Sequence, residues 1–222
     1  MTDHYKTTLK ILAKILKEEN YDHWADWMQE DIKLWEINKN TEHHLRAYGG
    51  MGSFNDIGIG GDDVKGIWKG HIFGHLQTLA YSLANGNTIQ EILKANPNQH
   101  LANEISGWRC INCGDARMNN RNINLFVAHY FIPKFFVNNV QEDKLNEVIN
   151  IPERIDSEEV INKRNQIKSL IQQANILLNP DDDWLWICPK CGSSKVCSYR
   201  WNVLADESKM VEGNDNLEIK IE

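Results

Sequence analysis

Two seven-residue segments with the same pattern most constrain what this chain can fold into. Residues 108–114 have the sequence WRCINCG and residues 186–192 have the sequence WICPKCG, so that each has the form W-x-C-x-x-C-G. Two residues between the cysteines allow one tight turn to direct both thiols at a single ion. The glycine that follows permits the left-handed backbone conformation that such a turn needs.

When two such turns meet, they present four thiols in tetrahedral geometry, which selects zinc or iron and suits a closed structural site. We therefore predict one structural zinc ion bound by four ligands: Cys110, Cys113, Cys188 and Cys191. The pattern resembles the knuckles of zinc ribbons, a resemblance limited to the two segments that implies no single function. The alternatives are two independent redox-active pairs, or unrelated buried thiols. Cys197 is left over and fits a small buried side chain better than a fifth ligand.

The distance between the two knuckles departs from that of compact ribbons. Cys113 and Cys188 are separated by 74 residues, whereas compact ribbons have about 15–20. The ribbon must therefore carry an inserted subdomain. We predict that this insertion contains a helix over residues 158–178, with an apolar face formed by Val160, Ile167, Leu170, Ile171, Ala174 and Leu178.

The remaining patterns predict an α+β chain in which a helical N-terminal domain precedes the zinc ribbon. Helical periodicity and capping signals favour helices over 4–18, 22–37, 66–84 and 89–95, within a domain over 1–96. The ribbon domain is expected over 104–222, after a linker over 96–103. Aromatic and β-branched residues over 124–137 predict a strand or buried hairpin, and alternation of Leu217, Ile219 and Ile221 predicts an edge strand.

A glycine-rich segment distinguishes the N-terminal half. Residues 47–56 have the sequence AYGGMGSFND, and with the flanking helices, over roughly residues 5–85, they resemble an uncharacterised bacterial domain family. The resemblance implies a bacterial origin but no activity. One interpretation is a tight loop that packs Met51 and Phe54 onto the helices, with Asn55 and Asp56 bonding to the backbone. The other is a partner-contact loop, with contact residues Gly50, Met51, Ser53, Phe54, Asn55 and Asp56. An anion cradle is disfavoured because nearby acids repel phosphate.

Two histidines, His71 and His75, are spaced one helical turn apart. Together with His43 or His44 they offer a second candidate metal site. However, the glutamate of the metalloprotease pattern is absent, and the default interpretation is ordinary surface or core histidines.

Charge and hydropathy limit which cellular compartment and which kind of partner we expect. The net charge is −7, with 10 Lys/Arg against 13 Asp/Glu in residues 1–100 and 14 against 18 in the rest. Acidity in both halves disfavours non-specific phosphate binding. No run of about 18 apolar residues predicts a membrane span, and lysines interrupt the apolar residues near the N-terminus. We therefore expect a cytoplasmic protein with reduced thiols, which favours the metal interpretation.

These observations favour a non-enzymatic, zinc-stabilised module that binds another protein, such as an immunity-type inhibitor, an adaptor or a regulator. Tryptophan is enriched at binding hot spots, and the chain has 8. One alternative is nucleic-acid binding through the ribbon, with basic contacts from Arg109, Arg117, Arg121 and Lys134 beside aromatic residues. The other is an enzyme whose site is not visible in sequence, since no GxSxG or HExxH motif is present.

Overall fold

The computed structural model describes residues 3–95, 104–141, 144–179, 186–203 and 210–211. The chain forms two compact units. The first contains Met1–Asn96 and Ile132–Arg154, and the second contains Pro97–Phe131 and Ile155–Glu222. The first half is helical and the second contains a small sheet, so the predicted α+β class is confirmed.

Helices build the first unit. They are α1 (His4–Glu18), α2 (Asp22–Asn38), α3 (Glu42–Leu45), α4 (Val64–Ala84) and α5 (Ile89–Lys94), with 3₁₀ segments at Phe54–Asp56 and Leu145–Asp156. Helix α1 packs against both α2 and α4, because its apolar residues recur at helical spacing and Leu9, Leu12 and Leu16 are fully buried.

A five-stranded sheet organises the second unit. Its strands are β1 (Glu104–Cys110), β2 (Ala116–Asn119), β3 (Leu177–Asn179), β4 (Val196–Val203) and β5 (Met210–Val211), in the spatial order β3-β2-β1-β4-β5. Strand β1 pairs antiparallel with both β2 and β4. The β1–β4 register places Cys110 opposite Val196, which brings the two cysteine segments to the same end of the sheet.

The strand predicted over 124–137 is wrong, because this stretch lies inside helix α6 (Asn120–Gln141). Its buried residues include Ile123, Phe126, Val127 and Phe131, and their spacing of three and four residues is helical rather than alternating. Aromatic content suggested a strand, but burial of one helical face decided the structure.

The predicted inserted helix is present but shorter than expected. Helix α7 spans Glu158–Gln173, and Val160, Ile167 and Ile171 are buried on it as predicted. Leu178 instead lies in β3, where it pairs with Met118 of the parallel strand β2. The chain leaves the helix at Asn175, whose φ of 57° is left-handed.

The predicted linker over 96–103 and the edge strand at Leu217, Ile219 and Ile221 lie outside the described residues. Among the described residues, no helix is both long enough and apolar enough to cross a membrane.

Candidate metal centre and binding surfaces

The two knuckles fold in the same way. In the first, the Gly114 amide donates to the Cys110 carbonyl oxygen at 2.9 Å, and in the second Gly192 donates to Cys188 at 2.8 Å. Both glycines are left-handed, with φ of 75° and 69°, as the repeated pattern predicts. The Ile111 amide of the first knuckle also donates a hydrogen bond of 2.9 Å to the carbonyl oxygen of Lys195, which lies between the second knuckle and β4.

The structure brings the four predicted cysteines together. Their sulfur atoms all lie within 4.8 Å of one another, and two pairs, Cys110–Cys191 and Cys113–Cys188, are 3.6 Å apart. Tetrahedral zinc with bonds of about 2.3 Å requires sulfur atoms about 3.8 Å apart, so the cluster fits such an ion. A disulfide would need about 2.05 Å. The four cysteines can therefore hold a metal ion, with every tetrahedral position taken by a thiol.

Hydrogen bonds and burial shift the pKa of Cys113 and the pKa of Cys191 in opposite directions. Hydrogen bonds from the Asn112 side chain and the Ser193 amide lower the pKa of Cys191 to about 6. At Cys113 the Asp115 amide acts in the same direction, but desolvation and the neighbouring thiols outweigh it and raise the pKa to about 12. A bound cation would favour ionisation of all four thiols.

A partly buried ion pair lies beside the cluster. Asp115 is buried, its carboxylate accepts from Arg117 Nε at 3.0 Å, and it lies 3.9 Å from the Cys188 sulfur. The Arg117 guanidinium also lies over the Trp108 ring at 5.6 Å. The tryptophan that opens the first knuckle therefore packs on the pair that positions a candidate ligand.

Other candidate metal ligands lie apart from this cluster. Cys197 donates to the Arg109 carbonyl oxygen at 3.6 Å. In the part of the chain that the structure describes, the four cysteines are the one group suited to a metal ion, so His71 and His75 do not join His43 or His44 in a second site.

The predicted nucleic-acid contacts come from several elements. Arg109, Arg117 and Arg121 belong to the second unit and Lys134 to the first, although Arg121 and Lys134 lie on the same helix, α6. Arg117 is engaged with Asp115 and Trp108. The nucleic-acid role of this set stays a prediction.

Large apolar side chains are exposed in both cysteine segments, and we call these three residues, Ile111, Trp186 and Ile187, the knuckle tips. Ile111 is 58% exposed, Ile187 is 60% exposed and Trp186 is 77% exposed. Residues 105–114 and 186–198 contain Arg109, Lys190 and Lys195 and no acid. Four thiolates around a divalent cation would carry a net charge of −2 and would offset most of this basic charge. Both segments thus expose large apolar side chains beside a few basic residues.

The glycine loop combines left-handed glycines with hydrogen bonds to its own acid. Gly49, Gly50 and Gly52 have φ of 93°, 94° and 78°. The Gly52 and Ser53 amides donate to the Asp56 carboxylate at 2.8 and 3.2 Å, so the loop's own acid takes the amides that an anion would need.

Phe54 and Met51 in this loop differ in how far their side chains are buried. Phe54 is fully buried and packs on Trp24, Tyr48 and Phe73. Met51 is fully exposed and does not pack onto the helices. Phe54 is therefore a core residue, and the partner-contact role of the exposed loop residues stays a prediction.

Sequence reasoning missed a buried polar network in the first unit. The two carboxylate oxygens of Asp31 are bonded to the Nδ1 atoms of His43 and His44, at 2.5 and 2.8 Å. The Tyr48 hydroxyl lies 3.1 Å from His44 Nε2 and 3.1 Å from the Gln77 carbonyl oxygen. Asp31 and His44 are almost completely buried. Asp31 lies on the apolar face of α2, beside Met28 and Ile32. A charged residue on a face that is otherwise apolar could have indicated a buried polar network in the sequence.

Burial raises the pKa of Tyr48 above its ordinary value, and the neighbouring Tyr5 and Asp31 add to this shift. The hydroxyl therefore stays protonated and donates. The single hydroxyl proton of Tyr48 is donated either to the Gln77 carbonyl oxygen or to His44 Nε2, according to which nitrogens of His44 carry a proton.

One family is similar to part of this chain. Residues 17–66 match the family described as Domain of unknown function (DUF6966). The match supports an uncharacterised domain family in the N-terminal region, and it includes Asp31, His43, His44, Tyr48 and the glycine loop. The cysteine knuckles lie outside it. No curated protein and no solved structure matches the chain.

Proposed function

We propose that this protein is a zinc-stabilised, non-enzymatic module of bacterial origin that binds another protein, acting as an immunity-type inhibitor, an adaptor or a regulator. The observation that carries the proposal is the exposure of Ile111, Trp186 and Ile187 at the tips of two adjoining knuckles. Exposed apolar side chains that cluster on a rigid support favour protein association. Tryptophan in particular is enriched among the residues that dominate binding energy.

The chemistry of the metal centre supports a structural role. With Cys110, Cys113, Cys188 and Cys191 as ligands, zinc has no open position for water or substrate. The ion instead holds two segments that are far apart in sequence, so that their apolar tips form one surface. A surface that is held in place before binding loses less entropy when a partner docks.

Nucleic-acid binding is the second candidate, and the charge of the knuckles bears on it. Lys190 and Lys195 follow Trp186 closely in the sequence and Arg109 lies in the other knuckle, and an aromatic ring beside cations suits single-stranded nucleic acid. Two features favour protein instead: the charge of the thiolate centre offsets most of these cations, and the whole chain carries −7.

Affinity capture from the native host tests the proposal. The bait is the zinc-loaded chain, compared with the Trp186→Ala/Ile187→Ala double variant. Ile161→Ala is the matched control, because Ile161 is an exposed isoleucine at 39% that lies on α7 of the same unit. We expect a defined protein to be captured by the wild-type chain and by Ile161→Ala, and to be lost from the double variant.

Nuclease treatment and a salt series distinguish the two candidates. Capture that survives nuclease and depends on Trp186 and Ile187 supports protein binding. Capture that nuclease abolishes, or single-stranded oligonucleotide binding that falls steeply with salt, supports nucleic-acid binding instead. If the double variant captures the same protein as efficiently as wild type, the knuckle tips are not the contact surface.

A further inference from the structure

We propose that the first unit has a second recognition site, a groove between α3, the glycine loop and α4 that binds an uncharged stretch of extended peptide. The groove has a volume of about 760 Å³ and is open to solvent rather than enclosed. Sites for small molecules bury most of the ligand surface. The volume alone would also fit a small molecule, but a groove this open suits a segment of another chain.

The lining is aromatic and polar but carries no formal charge. Tyr48 and Tyr81 form one side, with ring centres 4.8 Å apart. Amide and hydroxyl groups come from Asn55, Gln77, Thr78 and Asn85, and the remaining lining residues are one leucine and two glycines. Tyrosine with asparagine and glycine is the composition of protein-recognition loops, because tyrosine gives a large contact area at low entropy cost and amides adapt their hydrogen bonds.

The hydrogen bonds inside the groove leave both a donor and an acceptor for a ligand. Asn55 Oδ1 accepts from the Gly49 amide at 3.3 Å and from Ser53 Oγ at 2.6 Å, which directs its NH₂ group away from those partners. Asn85 Nδ2 donates to the Tyr81 carbonyl oxygen at 2.9 Å, so its Oδ1 remains an acceptor. A peptide backbone presents both carbonyl and amide groups and can satisfy the two.

Charge argues against nucleic acid as the occupant. Residues 17–66 contain 5 Lys/Arg and 11 Asp/Glu, a net charge of −6 out of −7 for the whole chain. This part of the chain carries Tyr48 and Asn55 of the groove and would repel a phosphate backbone. A neutral peptide stretch meets no such repulsion.

The buried network holds the aromatic side of the groove in place. Tyr48 is bonded through His44 to Asp31, and both partners are almost fully buried. Burying such charged and polar groups is costly, and well-packed apolar residues are often as stable or more so. Here the network ends on a tyrosine that lines the groove. It therefore fixes the orientation of that ring before a ligand arrives, which reduces the entropy cost of binding.

Selection from a random-peptide phage library tests the site. The zinc-loaded full chain is the target, and selected peptides are synthesised and titrated by calorimetry. We expect peptides without a charged core that lose about tenfold or more in affinity for Tyr81→Ala, as for loss of one well-placed interface aromatic. Tyr21→Ala is the control. Tyr21 is an exposed tyrosine of the same unit that does not line the groove, and its replacement should leave affinity unchanged.

A second pair of variants tests the buried network. Tyr48→Phe removes the hydroxyl that His44 and Gln77 bind, and we expect a several-fold loss of peptide affinity. Tyr5→Phe is the matched control, because the Tyr5 hydroxyl is buried and has no hydrogen-bond partner among the described residues. Equal affinities for Tyr48→Phe and wild type would overturn the role of the network.

Three results would overturn the groove itself: no enriched peptide, peptides that bind Tyr81→Ala as well as wild type, or peptides whose binding is lost in Trp186→Ala/Ile187→Ala. The last result would place recognition at the knuckle tips. Because the two sites are tested by different variants, failure of one proposal leaves the other standing.

Discussion

Gly66 and Gly70 lie one turn apart on α4, where the backbone of residues 59–61 passes over the helix. A Cβ atom at Gly66 would lie 2.2 Å from the Gly61 nitrogen, and one at Gly70 would lie 2.7 Å from the Ile59 carbonyl oxygen. Both neighbours are backbone atoms, which cannot rotate away as a side chain can. Residues 59–61 can therefore pack against α4 only because these two positions have no side chain.

We predict that Gly66→Ala destabilises the protein by about 1–3 kcal/mol, the usual cost of overpacking a well-packed site. Gly74→Ala is the control on the same helix, because a Cβ atom there would meet nothing within 4 Å. It should be neutral or stabilising by up to about 1 kcal/mol, since alanine is the better helix former. Urea unfolding measures both. Equal stability of the two variants would show that the loop does not pack on Gly66.

Helix α1 contacts α2 through its N-cap residue, Asp3, as well as through its apolar face. The Asp3 carboxylate accepts from the Lys6 amide at 3.0 Å, which caps α1, and from Trp35 Nε1 of α2 at 2.7 Å. Partial burial opposes ionisation of Asp3, but these hydrogen bonds outweigh it and lower its pKa below the ordinary value of 3.8. The ionised carboxylate is thus the form that stabilises the helix pair.

We predict that Asp3→Ala costs about 0.5–2 kcal/mol at neutral pH, as for loss of an N-cap. Because the folded pKa is lowered, this stabilisation is present above pH 3.8 and disappears as pH falls through the folded value. The difference in free energy of unfolding between wild type and Asp3→Ala should therefore shrink in acid. Asp26→Ala removes an exposed acid of α2 and serves as the control. An Asp3 effect that is constant with pH would contradict the assignment.

At the scale of the whole molecule, the four cysteines join parts of the second unit that are distant in sequence. The first pair lies at the β1–β2 turn and the second just before β4, with α6 and α7 between them. The β1–β4 pairing must close this long loop, and closure costs entropy before the strands gain anything. A shared ion would supply that closure free energy directly.

We predict that the purified chain contains one equivalent of zinc. Removing zinc by chelation, or replacing Cys110 with serine, should abolish hydrogen-exchange protection of the β1 and β4 amides while the α1 amides keep theirs. The loss reflects metal-linked folding energy, on the order of 10 kcal/mol in small zinc modules. Cys197→Ser is the control, because this cysteine lies outside the cluster. Normal protection of β4 in metal-free protein would rule out a structural zinc.

Local patterns were sufficient for much of the fold. The helices of the first unit follow from apolar spacing and caps, as in the box of Thr88 and Glu91 that opens α5. The four-cysteine cluster follows from two repeated turns, each complete within seven residues. The class of a site can be predicted in this way when every ligand belongs to a recognisable local motif.

Tertiary packing decided what local patterns could not. The stretch over 124–137 has the composition of a strand, yet α6 forms because burial of one helical face outweighs a weak β preference. Asp31, His43 and Tyr48 come from separate elements, and no local spacing predicts that one buried carboxylate would join two histidines. The sequence by itself determined the α+β class and the four-thiol cluster, because both depend on short-range periodicity and turn chemistry. Only the tertiary structure decided the groove and its buried network, because they depend on which side chains, distant in sequence, are buried together in the low-dielectric interior.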